Sequence, residues 1–386
     1  MHELEIQINK MLLEVKKCYI ERDKKNIDSL SNLLFHDEYP PIIIGTSNNE
    51  WCFGIEESKN IFLSDWEGWG NVTIDLESIM CGQSDSLGWF TVKAGVEYTF
   101  KDSDEKYASY MNLVTSIAKS DKAPIAKMSE INWFLSHLLH TRKNGERRYI
   151  WDLTISGIVQ CIENIYKIRI MQFSIPVKAL FPDERLDNDY VKKQEFKQEL
   201  LKIAQYNGAK IQNENIPIKQ AVLSLLSNQS NVKLDSSGDS QFIGTDGIKR
   251  DAIEFKQYLK PFSENGAKVD IDTQGIIIKQ QETSFYFCGI GVYTRNINID
   301  SELSRVLDNI DSYCSAKNKK EALFKLRRDL ALALKESSVS DKHNAPIRFE
   351  GVGKLYDNED ILFQYVQLSY PFNWILEQKT DESVEL

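Results

Sequence analysis

The segment Ser64-Asp65-Trp66-Glu67-Gly68-Trp69 gathers the side chains best able to do chemistry in this 386-residue chain. Trp66 and Trp69 are three residues apart, a spacing that shares one face of a helix, and Trp51 lies a short way upstream. Such a group either packs a core or forms an aromatic wall for a planar or hydrophobic ligand. Asp65 among them is a pocket acid, or else a solvated helix carboxylate or local cap partner. Tyr19, on an earlier amphipathic stretch, offers a pocket hydroxyl or a structural ring. Gln172 and Gln367 recur in Gln-Phe-Ser-Ile-Pro and Gln-Leu-Ser-Tyr-Pro, 195 positions apart (367 less 172). They either point into a concavity or hydrogen-bond outward across a sheet.

Other chemistries find little footing. His137 and His140 share a helix face, but no Cys or acid at a ligand-like spacing completes the set, so no metal is expected. Cys18, Cys52, Cys81, Cys161, Cys288 and Cys314 are far apart and never form a Cys-x-x-Cys pair, which reads as buried free thiols in a reducing compartment. There is no Gly-x-Ser-x-Gly elbow for a nucleophile. Gly244-Thr245-Asp246-Gly247 has the glycines of a phosphate loop without its Lys-Ser/Thr ending, and reads as a turn. No cofactor is expected.

The elements that must position these residues follow from periodicity. Gly88 to Phe100 alternates cleanly, with Phe90, Val92, Ala94, Val96, Tyr98 and Phe100 on one face and Trp89, Thr91, Lys93, Gly95, Glu97 and Thr99 on the other. This predicts a long strand with one buried and one half-polar face. Ahead of it the spacing predicts helices over Leu4 to Arg22 and Ile27 to Phe35, a brief strand Ile42-Ile43-Ile44, a third helix after Gly54 that stops at Gly68 to Gly70, and a strand over Val72 to Ile79. A helical insertion, Lys101 to Arg148, precedes strands Tyr149 to Gln160 and Ile165 to Pro176.

The second half repeats this order. It has helices at Lys193 to Tyr206, Lys219 to Ser227 and Ile248 to Leu259, strands at Lys268 to Lys279 and Thr283 to Thr294, an insertion from Asp300 to Lys335, and two closing strands. Gly291 lies 196 positions after Gly95 (291 less 95), and Pro371 lies 195 after Pro176 (371 less 176). A steady offset with element types in register implies tandem duplication. The expected domains are 1–181 and 190–386, with the acidic, proline-containing segment 182–189 as linker. Each is an α+β unit whose three helices cover a curled, antiparallel sheet, leaving a cone with a pocket at its open end.

On Arg22-Asp23 with Ile27 and Leu30, Ile44-Gly45-Thr46, Glu50 with Gly54, Asp65-Trp66 with Trp69-Gly70, Trp89-Phe90 and Gln172-Phe173-Ser174-Ile175-Pro176, the first repeat resembles the SnoaL-like branch of the NTF2-like (cystatin-like) superfamily. That superfamily includes ketosteroid isomerase and polyketide cyclases. The resemblance spans most of 5–101 and 149–177 and, by repetition, the second half. It implies a cone fold, and a carboxylate base at a position held here by Ile42, which cannot take a proton. It also implies sheet-to-sheet pairing, for which the faces carrying Trp89 and Thr91 in one copy and Phe285 and Phe287 in the other are the expected partners.

A formal net charge of -10 disfavours nucleic acid and anionic membrane as partners, and no apolar run reaches the length of a membrane span. The first residues lack the apolar run of a secretion signal, so a cytoplasmic location is expected. The expected function is binding of a small, largely apolar ligand in one or both cones, with the seven residues Tyr19, Trp51, Asp65, Trp66, Trp69, Gln172 and Gln367 as pocket candidates. The alternatives are an isomerase, cyclase or hydratase, and a non-catalytic interaction module. An internal pseudo-dimer of the two halves is the expected assembly, with further homo-oligomers open.

Overall fold

The strand expected from the long alternation forms, as β5 (Leu87–Lys101), and it organises the first sheet. In the computed structural model, residues 3–101, 104–121, 127, 131, 146–177, 190–208, 216–227, 232–296, 342–356, 360–371 and 379–380 are described. The proposed linker 182–189, the second insertion and both His137 and His140 lie outside them.

In the first half, α1 (Glu3–Glu21), α2 (Ile27–Leu34) and α3 (Ile55–Gly68) accompany β1 (Ile42–Ile44), β2 (Trp51–Phe53), β3 (Asn71–Ile74), β4 (Met80–Ser84), β5, β6 (Glu146–Ile162) and β7 (Ile165–Ser174). The inserted helix α4 (Asp104–Lys119) lies between β5 and β6. In the second half, α5 (Tyr190–Gly208), α6 (Ile216–Ser227) and α7 (Ala252–Leu259) accompany β8 (Lys233–Leu234), β9 (Gln241–Ile243), β10 (Lys249–Arg250), β11 (Lys268–Asp270), β12 (Ile276–Gln281), β13 (Ser284–Asn296), β14 (Lys342–Leu355) and β15 (Ile361–Ser369). The expected strands Val72 to Ile79 and Lys268 to Lys279 are each broken by a short 3-10 turn.

Both sheets have the same order. The first runs β2-β1-β7-β6-β5-β3 with β4 beside β5, and the second runs β10-β9-β15-β14-β13-β11 with β12 beside β13. Pairing is antiparallel except where β1 meets β7 and where β9 and β8 meet β15. A bulge falls at Ile158/Val159 in one sheet and at Val352/Gly353 in the other, and bulges bend a sheet. The rings of Phe90 and Phe287 lie over Gly157 and Gly351, where a Cβ would come within 2.7 and 2.5 Å of the ring. The α+β architecture expected from the resemblance is therefore observed twice. A two-residue tail strand, β16 (Lys379–Thr380), pairs with β6 of the first sheet.

The strand ladders correct the sequence offset by one residue. Phe90 pairs with Gly157 and Phe287 with Gly351, which sets β5 against β13 at 197 (287 less 90) in place of 196. In a strand a one-residue slip exchanges the faces. Phe285 and Phe287, expected on the outer face with Trp89, accordingly belong to the cone interior, and Tyr286, Cys288 and Ile290 take the outer face. Trp89, Ile158 and Ile170 meet these residues together with Tyr365 in a buried cluster between the sheets. Trp89 stacks on Tyr365 at 6.1 Å between ring centroids, 10° from parallel.

The helices are shared out unequally. Leu4, Ile8, Met11, Leu12, Val15 and Tyr19 of α1 turn one stripe into the first cone, as amphipathic spacing requires. In the second half the cone is covered by α6 and α7, through Ile218, Val222, Leu225, Phe255 and Leu259. Helix α5 packs elsewhere: its buried residues, Glu199 and Ile203, face the first half's β2 and the inter-sheet cluster. The apolar interiors of the two cones touch and form one contiguous cluster.

Candidate active site

A cavity of about 210 Å³ opens in the first cone, lined by Tyr19, Gly45, Thr46, Glu50, Ile61, Phe62, Ser64, Asp65, Trp69 and Phe173. Four elements build it. Helix α1 brings Tyr19 on its buried stripe, α3 brings Asp65 three to four residues from Phe62, Ile61 and Trp69, the β1–β2 turn brings Glu50, and β7 closes the floor with Phe173.

Tyr19 donates a hydrogen bond from its hydroxyl to Asp65 Oδ2 at 2.6 Å. Its ring is held edge-on by Phe62, Trp66 and Trp69 at centroid distances of 6.1, 6.4 and 6.4 Å. Burial, joined by the charge of Glu50, pushes the Asp65 carboxyl up to about 7, against the opposing pull of the Tyr19 hydrogen bond and of Arg22. Burial and the adjacent Asp65 hold the Tyr19 phenol well above its ordinary range, so it acts as a neutral donor. Glu50 is also raised, chiefly by burial, although its Oε2 accepts the Ser47 amide at 2.7 Å.

Among the described residues, no cationic side chain lines the cavity. Arg22, which bears on Asp65, is spent at the C-terminus of α3, donating to the carbonyl oxygens of Trp66 and Trp69 at 3.1 and 2.7 Å. A cation there answers the exposed carbonyl groups of a helix end. Two carboxyl groups and a phenol in one cavity are groups that can give and take protons near neutral pH.

Of the residues expected at the pocket, the structure brings together Tyr19, Asp65 and Trp69. Trp66 is buried one turn away, under Tyr19, and is not part of the lining. Trp51, Gln172 and Gln367 lie elsewhere. Trp51 is buried between the halves and donates its indole N–H to Glu199 Oε2 at 3.1 Å. Gln172 donates to Ser369 Oγ, and Gln367 donates to Ser174 Oγ at 3.3 Å, a reciprocal pair across the two sheets. Strand alternation is the reason: Phe173 faces the cone, so its neighbour Gln172 faces out. Ile42, at the place of the family's base, is likewise in the inter-sheet cluster. Glu50 and Thr46 escaped the sequence reading as site residues, because an acid in a turn is ordinarily solvated and nothing in its spacing marks it as buried.

Gly45 is fitted to Glu50. A Cβ on Gly45 would stand 2.3 Å from Glu50 Oε2 and 2.8 Å from Glu50 Cβ. Gly45→Ala is expected to drive the carboxylate off the Ser47 amide and to cost about 2 kcal/mol of stability, the usual scale of overpacking. Urea unfolding measures it, and an unchanged midpoint would mean that Glu50 swings aside freely.

In the corresponding region the second cone packs aromatic rings. A run of rings, Phe242, Phe255, Tyr258, Phe262 and Tyr293, is spaced 5.4, 5.9, 5.8 and 4.9 Å between successive centroids. The Tyr258 hydroxyl is engaged by the Thr245 amide at 2.8 Å. Counted from the residues that precede α3 and α7, Gly54 and Asp251, the place of Asp65 is taken by Phe262 (65 less 54 equals 262 less 251).

Comparison with known proteins finds solved structures of low identity and low TM-score. No protein-family model matches the sequence, and no curated protein matches it. Among solved structures, a protein of unknown function with a cystatin-like fold from Nostoc punctiforme is 8% identical, with 45% of this chain and 92% of that chain covered and a TM-score of 0.27. An NTF2-like protein of unknown function from Pseudomonas putida is 7% identical, covering 46% and 89%, at a TM-score of 0.28. A nuclear transport factor 2 (NTF2-like) superfamily protein from Salmonella enterica is 11% identical, covering 46% and 95%, at a TM-score of 0.29. Among the described residues, no helix is long and apolar enough to cross a membrane.

Proposed function

We propose that the first cone binds a compact, uncharged small molecule and transfers a proton on it, as an isomerase or hydratase does. The observation that supports this reading best is the 2.6 Å Tyr19–Asp65 pair on the wall of a cavity, with the carboxyl pushed to about 7. A group titrating near working pH combines a sufficient population of the base with a sufficient driving force for transfer. Tyr19 claims Oδ2 of Asp65 and fixes the orientation of the carboxyl; Oδ1 is the oxygen left to accept the substrate proton. Glu50, held toward its neutral form, is suited to returning a proton at another atom of the same ligand.

Size and charge narrow the ligand class. A dry cavity of roughly 150 Å³ in another protein holds benzene, so about 210 Å³ suits a single substituted ring. Two ionisable acids with no lining cation disfavour an anionic ligand. The polar lining asks for a hydroxyl or carbonyl oxygen, a departure from the largely apolar ligand expected from sequence.

The test is a panel of cyclohexanone, benzyl alcohol and benzoate titrated at pH 8 and followed through the Trp69 indole resonance. The neutral pair is expected to bind at least tenfold more tightly than benzoate. Equal binding by benzoate, or no perturbation at Trp69 by any of the three, would remove the proposal.

The reciprocal Gln172–Ser369 and Gln367–Ser174 contacts support reading the two halves, 1–181 and 190–386, as an internal pseudo-dimer, since a self-complementary interface repeats each contact. The free cysteines among the described residues support a reducing, cytoplasmic setting.

A further inference from the structure

We infer that Arg348 and Glu199, both from the C-terminal half, are positioning residues for the site in the first cone, so that the second copy serves as a buttress for the cavity of the first. The inference rests on the reading of the first cone as the chemical site.

The turn that joins β1 to β2 supplies three of the residues lining the cavity, Gly45, Thr46 and Glu50. Its backbone is held from the other half of the chain. Arg348 Nη1 donates to the Gly45 carbonyl at 2.7 Å, and Nη2 donates to the Ser47 carbonyl at 2.6 Å and to Glu199 Oε1 at 3.2 Å. Glu199 in turn accepts the Asn49 amide on Oε1 and the Trp51 indole on Oε2. Lys202 donates to the Asn49 carbonyl at 3.3 Å, and the Asn49 side chain donates to Gln198 at 3.1 Å. One short turn thus spends its peptide groups on β14 and α5.

Stability alone does not account for this arrangement. Arg348 and Glu199 are 1% and 0% exposed at their side chains. Desolvating such a pair generally offsets its attraction, so apolar residues of similar volume would serve the core as well or better. What the pair supplies is geometry: the planar guanidinium satisfies two carbonyl groups and a carboxylate at fixed angles, which neither a hydrocarbon nor a lysine does.

The guanidinium clamp itself is one-sided among the described residues, although the first half does hold the corresponding turn of the second, where the Val177 amide donates to the Thr245 carbonyl at 2.8 Å. In the ladders Arg348 pairs with Ser369 and Thr154 pairs with Ser174, so Thr154 stands where the first copy would carry the counterpart. The second cone, whose interior is a stack of rings, has no such clamp on it from Thr154. Helix α5 carries Glu199 to the turn because it packs against the inter-sheet cluster and not into its own cone. Arg348 and Glu199 therefore bring to the turn that carries Glu50 a contact that Thr154 does not return. Arg348 bears on Glu50 electrostatically as well, favouring its ionised form, and Glu199 opposes it with the smaller effect of the two.

The experiment uses the full chain with Arg348→Met/Glu199→Gln, which removes both charges together, and Arg348→Lys, which keeps the charge but loses the fork. Two readouts concern the free protein: amide hydrogen exchange in the turn 45–49, and the Glu50 carboxyl titration by ¹³C NMR. In the double variant, exchange at Ser47 and Asn49 is expected to quicken at least tenfold and the Glu50 titration to move to higher pH. In Arg348→Lys, exchange is expected to quicken while the titration stays closer to that of the wild type. Cyclohexanone binding is expected to fall about tenfold in the double variant and to recover in part with lysine. Unchanged exchange and an unchanged Glu50 titration in both variants would overturn the inference. These readouts need no ligand, so a cone that proves chemically inert leaves them decisive, and the failure of one reading is separable from that of the other.

Discussion

Asp65→Asn is expected to leave the protein folded and to slow proton exchange on a bound ketone by roughly 10²–10⁴-fold, the usual contribution of a positioned acid or base. The asparagine oxygen still accepts the Tyr19 hydroxyl that Asp65 Oδ2 accepts at 2.6 Å, so ring and helix keep their places. What disappears is a group able to take up a proton. Cyclohexanone in D₂O gives the measurement, as deuterium incorporation beside the carbonyl followed by NMR. The pH profile carries the sign. A base must be ionised to work, so the wild-type rate is expected to rise with pH and level off above about 7, where burial has placed the carboxyl. The variant profile is expected to be flat and low. A variant as fast as the wild type, with the same profile, would show that Asp65 is a structural partner of Tyr19 and nothing more.

Glu350→Gln is expected to stabilise the protein at pH 8 and to flatten its pH dependence. Glu350 is fully buried between the sheets, where its Oε1 accepts from Ser156 and Tyr365 at 2.7 Å each. Burial outweighs those two donors and pushes the carboxyl from 4.5 up to about 7. With the folded-state value above the unfolded one, the folded chain binds the extra proton between these limits, and stability falls as pH rises through that window. The loss attributable to this group is on the order of 3 kcal/mol, complete above about pH 7 and absent below about pH 4.5. Asp65, raised for the same reason, adds a fall of the same sign. Urea unfolding at pH 5, 6, 7 and 8 checks the difference between variant and wild type. The glutamine keeps an acceptor for Ser156 and Tyr365 without a charge to bury, so it should gain on the wild type steadily with pH. A constant difference across the series would show that Glu350 stays ionised throughout, or never ionises.

The two results together would locate a functional asymmetry between two sheets of the same order. Both raised carboxyls are products of burial, yet one lines a cavity and the other is fully buried between the sheets. Their shared direction of shift does not mark them as the same kind of group. Access to a ligand does, and only Asp65 has it.

Much of the architecture was legible in the residues. The alternation from Trp89 to Val96 requires a strand with two unlike faces, and the recurrence of element types about 195 positions on requires a second sheet of the same order. Helical spacing in α1 requires a buried stripe that includes Tyr19. These are local consequences of periodicity, which a sequence carries directly. The pairing of Tyr19 with Asp65 was half legible: both were candidates, but 46 residues separate them, and only the approach of α1 to α3 joins them.

Tertiary structure alone decided the rest. The offset of 197 between β5 and β13, and with it the exchange of Phe285 and Phe287 for Tyr286 and Cys288 at the interface, depends on ladder register, which matching glycines cannot fix to a single residue. Gln172 and Gln367 were singled out correctly as a repeated pair, but the face they occupy depends on Phe173 and its neighbours being drawn into the cone. Glu50, Glu199 and Arg348 look like ordinary surface charges along the chain; packing of one half on the other buries Glu199 and Arg348, and Glu50 is left half-buried beside the cavity. Periodicity acts over a few residues and is written in order along the chain, and so the sequence determined the elements and their duplication. Which cone stays open, and which charges are trapped beside it, depends on contacts between residues up to about three hundred positions apart, and those exist only once the chain has folded.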